Sequence, residues 1–141
     1  MTDPAATIEV YDKLVPEPTT ETKPFWDALH EGRFRLQRCA DCKRVRHYPR
    51  PVCDACFSMN AEWVDASGRG TVHSWTITHH AFHPGFKVDL PFLLLTVDLE
   101  EGVRMQAQGK GIGEELRIGL PVKVGFQRVK DDLTLPVFEK A

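Results

Sequence analysis

The sequence has no apolar run approaching the roughly 18 residues that a membrane-spanning helix needs. Nor does it open with a basic segment followed by an apolar one. We therefore expect neither a membrane span nor a secretory leader, and a cytoplasmic protein. A large net charge is also missing: 18 Lys/Arg against 20 Asp/Glu leave −2. That balance argues against a protein built to coat DNA. Nucleophile signatures are absent too, since Ser58, Ser67 and Ser74 sit in no G-x-S-x-G elbow. The stretch "GKGIGEE" bears glycines but is no phosphate loop, and Gly111 and Gly113 read as turn residues. Cysteine is scarce, with four in 141 residues. Its distribution is what makes it informative.

All four cysteines fall within "RCADCKRVRHYPRPVCDAC", as two C-x-x-C pairs, Cys39 with Cys42 and Cys53 with Cys56. In a reducing compartment structural disulfides are rare, so such pairs point to a metal. Each pair lets one tight turn present two sulfurs, and tetrahedral Zn2+ takes four thiolates at about 2.3 Å. The ten residues between the pairs suffice for a hairpin that returns the second turn to the first. Four thiolates leave no open coordination position, so the expected ion is structural: one zinc. A rubredoxin-like iron is the alternative that spacing does not separate from it. A redox dithiol fits poorly, because the βαβ setting is missing.

Charge is unevenly placed. From Arg33 to Cys56 seven cations stand against Asp41 and Asp54. Cations beside thiolates favour the ionised sulfurs. Arg44 and Arg46 are also candidates for contact with a partner or a ligand phosphate, which guanidinium holds by paired hydrogen bonds.

Residues 1–22 are acidic and proline-bearing, and read as an extended arm. Ile8, Val10, Tyr11, Leu14 and Val15 make it more apolar than a solvated linker needs. "TETKPFWDALHEG" predicts a short helix, with Thr22 as N-cap, Pro24 in the first turn and Gly32 as the stop. "RFRLQRC" then alternates like a strand, Phe34 and Leu36 opposite Arg33, Arg35 and Gln37.

After Cys56 the texture becomes β-branched and aromatic, cut by Gly, Pro and acidic turns. Gly68 and Gly70 mark a bend into the first strand, and Glu100 to Gly102 the turn of a hairpin. Four or five short strands between about Gly70 and Phe138 suggest a small closed or partly open barrel. His73, His79, His80 and His83 cluster near Asp89, and read as a polar strand end and loop rather than a second metal site. His73, Trp75, Ile77 and His79 should share one side of their strand. Phe82, His83, Phe86 and Lys87 combine apolar surface with a cation, as a binding loop for a small ligand or a partner would.

The stretches "PFWDALHEGRFRLQRCADCKRVRHYPRPVCDAC", "EWVDASGRGTVHSWT", "LLLTVDLEEGVRM", "LRIGLPVKVGF" and "LTLPVFEK" occur in an order and spacing that resembles the DUF35 family. The resemblance covers roughly Lys23 to Lys140. It implies a mainly β protein: an N-terminal helix with a rubredoxin-like four-cysteine zinc ribbon over residues 23–62, then an OB-fold over 63–141. It also implies that Cys39, Cys42, Cys53 and Cys56 are the metal ligands, and that the chemistry sits in a partner. Such proteins often act as the small, accessory subunit of thiolase-fold enzymes (thiolases, acyltransferases or steroid side-chain aldolases) and in some cases contact the acyl-CoA. The competing expectation is a stand-alone module for single-stranded nucleic acid. The acidic balance of the barrel segment speaks against it.

Overall fold

The computed structural model describes residues 13–141; Ile8, Val10 and Tyr11 of the expected arm lie outside them. The predicted helix is present as α1, Lys23–His30. It ends where Gly32 takes φ +76, a left-handed conformation that glycine adopts without penalty. Thr22 precedes the helix but gives it no side-chain cap. Its hydroxyl instead accepts the Thr19 N–H at 2.8 Å, closing a turn in the incoming chain. The face bearing Phe25, Trp26, Ala28 and Leu29 is buried. Before it, the described end of the arm lies against the chain itself: Val15 packs against the core and Lys13 lies 3.3 Å from Asp89.

Three short strands follow as a sheet in the order β2–β1–β3, with β1 at Arg35–Cys39, β2 at Val45–Arg46 and β3 at Ala61–Asp65. Alternation in β1 is incomplete. Leu36 is buried as expected, but so is Gln37, because its side chain is a hydrogen-bond acceptor inside the ribbon. The expected division after residue 62 falls within β3, which is hydrogen-bonded along its length to β1.

The remaining strands are β4 (Arg69–Thr78), β5 (Phe92–Leu99), β6 (Arg104–Gly109), β7 (Pro121–Lys130) and β8 (Leu133–Lys140). They close a barrel in the order β4–β5–β6–β8–β7, the five-stranded arrangement of an OB-fold. The hairpin β5–β6 turns at Glu100 to Gly102, as its sequence suggested. Gly70 is required where β4 crosses β5: a Cβ there would meet Asp98 O at 2.5 Å. A bulge between Val72 and Ser74 interrupts the alternation of β4. Beyond it, Ser74 to Thr78 pair with β5, while β7 pairs only with Arg69, Gly70 and Thr71.

Helix, ribbon and barrel share one core. Phe25, Trp26, Leu29, Phe34 and Leu36 join Val72, Leu95, Val97, Met105, Val122 and Phe138 in a continuous buried cluster. Two polar ties fix the helix between its neighbours. Trp26 Nε1 donates to Tyr48 Oη at 2.9 Å on the ribbon side. On the barrel side, His30 Nδ1 lies 2.9 Å from the buried Thr134 hydroxyl. No helix among the described residues is long and apolar enough to cross a membrane.

Candidate functional site

The two C-x-x-C turns have the same build. Cys39 O accepts the Lys43 N–H at 3.0 Å and Cys39 N–H donates to Arg44 O at 2.9 Å. In the second turn Cys53 O accepts the Phe57 N–H at 2.9 Å and Cys53 N–H donates to Ser58 O at 2.9 Å. Lys43 and Phe57, each next after the closing cysteine, lie at φ 66 and 61. Non-glycine residues rarely enter this region. The signal that would have revealed it, a glycine, is missing at both positions. This conformation aims main-chain donors at sulfur: Cys42 N–H toward Cys39 Sγ at 3.5 Å, and Ala55 N–H toward Cys53 Sγ at 3.4 Å.

The turns face each other with crossed pairing. Cys39 Sγ is 3.5 Å from Cys56 Sγ, Cys42 Sγ is 3.6 Å from Cys53 Sγ, and all four sulfurs lie within 4.8 Å of one another. A disulfide would need about 2.05 Å. The edge of a tetrahedron with bonds of about 2.3 Å is about 3.8 Å, so the four sulfurs fit a thiolate-bound ion. Asp41 links the turns by accepting hydrogen bonds from the Ser58 hydroxyl and, at 3.4 Å, Asn60 Nδ2. These bonds, that of Ser58 foremost, hold its carboxyl below the usual range.

Electrostatics within the cluster are uneven. The Cys42 N–H, above all, holds the Cys39 thiol down at about 6. Cys53 is lowered as well, first by the Cys56 N–H and then by that of Ala55. At Cys56 the Ser58 N–H favours the thiolate, but hydrogen bonding to the Cys39, Cys42 and Cys53 sulfurs, with burial, pushes the group up to about 12. Sulfurs so close cannot all ionise without a cation, and a metal ion held here would take the place of the protons they otherwise retain.

The basic segment is less bare than its sequence suggested, because its counter-charges arrive later in the chain. Arg33 and Arg35 lie 3.1 and 3.3 Å from Asp65, Arg38 lies 2.7 Å from Glu62, and Lys43 lies 3.2 Å from the same carboxylate. Arg44 is exposed, with Asp54 at 3.9 Å. Arg46 is 4% exposed and points inward. Its Nε donates to Gln37 Oε1 at 2.6 Å and its Nη2 to Arg50 O at 3.0 Å. Gln37 Oε1 also accepts the Arg50 N–H at 2.8 Å. An open surface contact through Arg46 is therefore not what the structure offers. Arg44, Arg46, His47, Arg50 and Asp54 face Gly102 and Arg104 of the barrel across a cleft of ≈ 220 Å³. The barrel's part in this cleft was missed, since nothing local links residue 104 to residue 46.

The second candidate group lies at the entry to and on a short 3-10 helix, Pro84–Asp89, which Phe82 and His83 precede. His83 Nδ1 accepts the Gly85 N–H at 3.1 Å and caps it. Phe86 packs on Phe92 with ring centroids 5.7 Å apart, Lys87 is exposed, and Phe82 is 89% exposed. Phe82, His83, Phe86, His80, Phe92 and Leu14 line an apolar cavity of ≈ 240 Å³ that shares no residue with the arginine cleft. Phe82, His83 and Phe86 thus line a different cavity from Arg44 and Arg46. The other histidines are dispersed: His73 sits at the β4 bulge, 3.7 Å from Asp98, and His79 lies beyond the strand's end at Thr78. The shared side expected for His73 through His79 is broken by the bulge.

Comparison with known proteins agrees with this architecture. Residues 26–60 match the family model described as "ChsH2, rubredoxin-like zinc ribbon domain" and residues 63–127 that of "ChsH2, C-terminal OB-fold domain". A protein of Thermomonospora curvata named "Probable enoyl-CoA hydratase alpha subunit" is 40% identical over 83% of the chain, which spans 37% of that relative. A Mycobacterium tuberculosis protein, "3-oxo-4,17-pregnadiene-20-carboxyl-CoA hydratase alpha subunit", is 38% identical over 79% of the chain, which spans 35% of it. The chain thus covers little more than a third of the length of these curated relatives. A solved structure described as "Ltp2-ChsH2(DUF35) aldolase" superposes with a TM-score of 0.80 at 35% identity, covering 89% of this chain and 98% of the other. With a four-cysteine ribbon leading into a five-stranded barrel, matched nearly end to end by that structure, the chain belongs to the DUF35 family.

Proposed function

We propose that the chain is an accessory subunit of a thiolase-fold enzyme acting on acyl-CoA esters in the cytoplasm, supporting the large subunit and contacting the ester. The observation that carries this reading is the likeness to the DUF35 component of an aldolase assembly across almost the whole of that component. Exposed apolar side chains supply docking surface: Phe82 at 89%, Val88 at 84%, Phe57 at 77% and Met59 at 75%. In this reading the arm (1–22), the helix and ribbon (23–62) and the OB-fold (63–141) are its working parts. Phe82, His83, Phe86 and Lys87 contact the partner or the pantetheine arm, and Arg44 meets the ligand's phosphates with the inward-pointing Arg46 supporting it from beneath. Cys39, Cys42, Cys53 and Cys56 hold one structural zinc, the ion whose tetrahedral thiolate chemistry suits the cluster; metal analysis separates it from iron.

Two relatives are named as hydratase alpha subunits, which favours a second reading in which the companion is a hydratase subunit. Native mass spectrometry of the chain drawn from its own cell tests both. A thiolase-sized companion with one zinc per small chain is the expected result. A hydratase companion would select the second reading, and a chain that is always solitary would sink both.

A further inference from the structure

The cleft between ribbon and barrel contains a charge that the protein does not neutralise. Arg46 is 4% exposed, and its Nη1 is buried without a hydrogen-bond partner. Its other two nitrogens are satisfied by neutral oxygens, those of Gln37 and Arg50. Among the described residues no carboxylate lies within ion-pairing distance of it. A buried guanidinium without a counter-ion is strongly unfavourable, and proteins seldom retain one without a use.

The surroundings deepen the imbalance. The cleft lined by Arg46 is also lined by Arg44, Arg50 and Arg104, with Asp54 as its one acid. Asp54 is divided between Arg44 at 3.9 Å and Arg50 at 3.6 Å, too far for a tight pair with either. Arg104 is held at the rim by two bonds to Asp98, at 2.7 and 3.3 Å. His47 adds no charge near neutrality, since burial lowers it to about 4. The contrast with Arg33, Arg35 and Arg38, each within 3.3 Å of a carboxylate, is what singles this group out.

We propose that this cleft, between β2, the loop leading to Cys53 and the β5–β6 turn, binds a phosphate group of the kind a CoA ester carries as a diphosphate and as a 3′-phosphomonoester. This rests on the acyl-CoA reading above. The phosphate bonds to the exposed guanidiniums of Arg44 and Arg50, and Arg104, paired with Asp98, forms the barrel-side wall. Arg46 lies beneath as a positioning residue: its charge raises the potential of the cleft, and its bond to Arg50 O fixes the loop that carries Arg50. Asp54 is the group displaced. A short cleft of ≈ 220 Å³ suits a single phosphate group better than a nucleic-acid strand, which needs a continuous groove.

The test is calorimetric titration of the full-length, metal-loaded chain with adenosine 3′,5′-diphosphate, with pantetheine and dephospho-CoA in parallel. Binding of the diphosphate but not pantetheine is expected, and retention of dephospho-CoA would assign the cleft to the 5′-diphosphate. The double variant Arg44→Gln/Arg50→Gln alters exposed side chains only and should weaken binding about ten- to a hundredfold. Asp54→Asn should tighten it a few-fold. Metal content and melting temperature should stay as in the parent. Unchanged affinity in the double variant overturns the assignment. So does loss of metal in parallel with loss of binding, which would make these arginines counter-charges of the thiolates, and so does equal binding of a single-stranded oligonucleotide per phosphate. If no companion enzyme exists, the titration still reads the cleft; if the cleft fails, the companion is still found by mass.

Discussion

The ribbon tip and the barrel are held by different forces. Around the cysteines apolar side chains face solvent, Phe57 at 77%, Met59 at 75% and Val52 at 39% exposure. In the barrel Leu95, Val97, Val122 and Phe138 are fully enclosed. The tip is too short to bury a core, and the four sulfurs that converge within 4.8 Å take over that task. At its other end the ribbon is no longer independent, because Leu36 and Phe34 belong to the barrel's core. The difference teaches that metal and apolar burial stabilise adjacent stretches of one strand, and that the two contributions should be separable by experiment.

The largest effect should come from removing the metal. Chelation, or Cys53→Ser, is expected to take metal content from one equivalent to none and to forfeit on the order of 10 kcal/mol of coupled binding and folding energy at the tip. Hydrogen exchange should then accelerate over residues 39–60 while the barrel amides keep their protection. Simultaneous melting of the barrel would break the comparison.

Phe138→Ala attacks the other side. It empties a fully buried aromatic site and should cost about 3–5 kcal/mol in urea unfolding. The folded fraction should still carry its metal, and a variant that folds without metal would refute the separation.

His47, ringed by Phe25 and Tyr48, lies where the two regions meet. Burial lowers it from 6.5 to about 4, so folding favours its neutral form. Its full contribution is present above pH 6.5 and is lost as pH falls toward 4, by about 3 kcal/mol in total. Acid also protonates thiolates, so the informative quantity is the difference between the parent and His47→Phe across that range. A difference that does not vary with pH would remove His47 from the account. The smallest effect belongs to Tyr48→Phe, which deletes the acceptor of the Trp26 indole and should cost about 1 kcal/mol with metal affinity unchanged.

Much of this was legible in the chain. The cysteine spacing, the stop at Gly32, the turn at Glu100 to Gly102 and the strand texture after Cys56 are local signals, and each found its element. What escaped was long-range or unmarked. Counting charge to Cys56 left out Glu62 and Asp65, the partners of most of the ribbon's cations. Arg46 read as a surface cation because the acceptor that draws it inward, Gln37, is nine residues away on another strand. Alternation placed Gln37 with the exposed arginines for the same reason. The bulge after Val72 comes with no glycine or proline, so strict alternation was assumed through His79. Lys43 and Phe57 take glycine's conformation without being glycine.

Among the described residues, β4 beyond its bulge pairs with β5 and not with β7, with Trp75 and Ile77 at 38% and 51% exposure. A strand edge of that kind offers main-chain donors and acceptors in register to any other extended chain. Handling the protein in isolation therefore means handling a template for strand addition. Concentrated stocks are expected to self-associate along Ser74 to Thr78, and a charged residue in place of Ile77 is the direct remedy for crystallisation and spectroscopy.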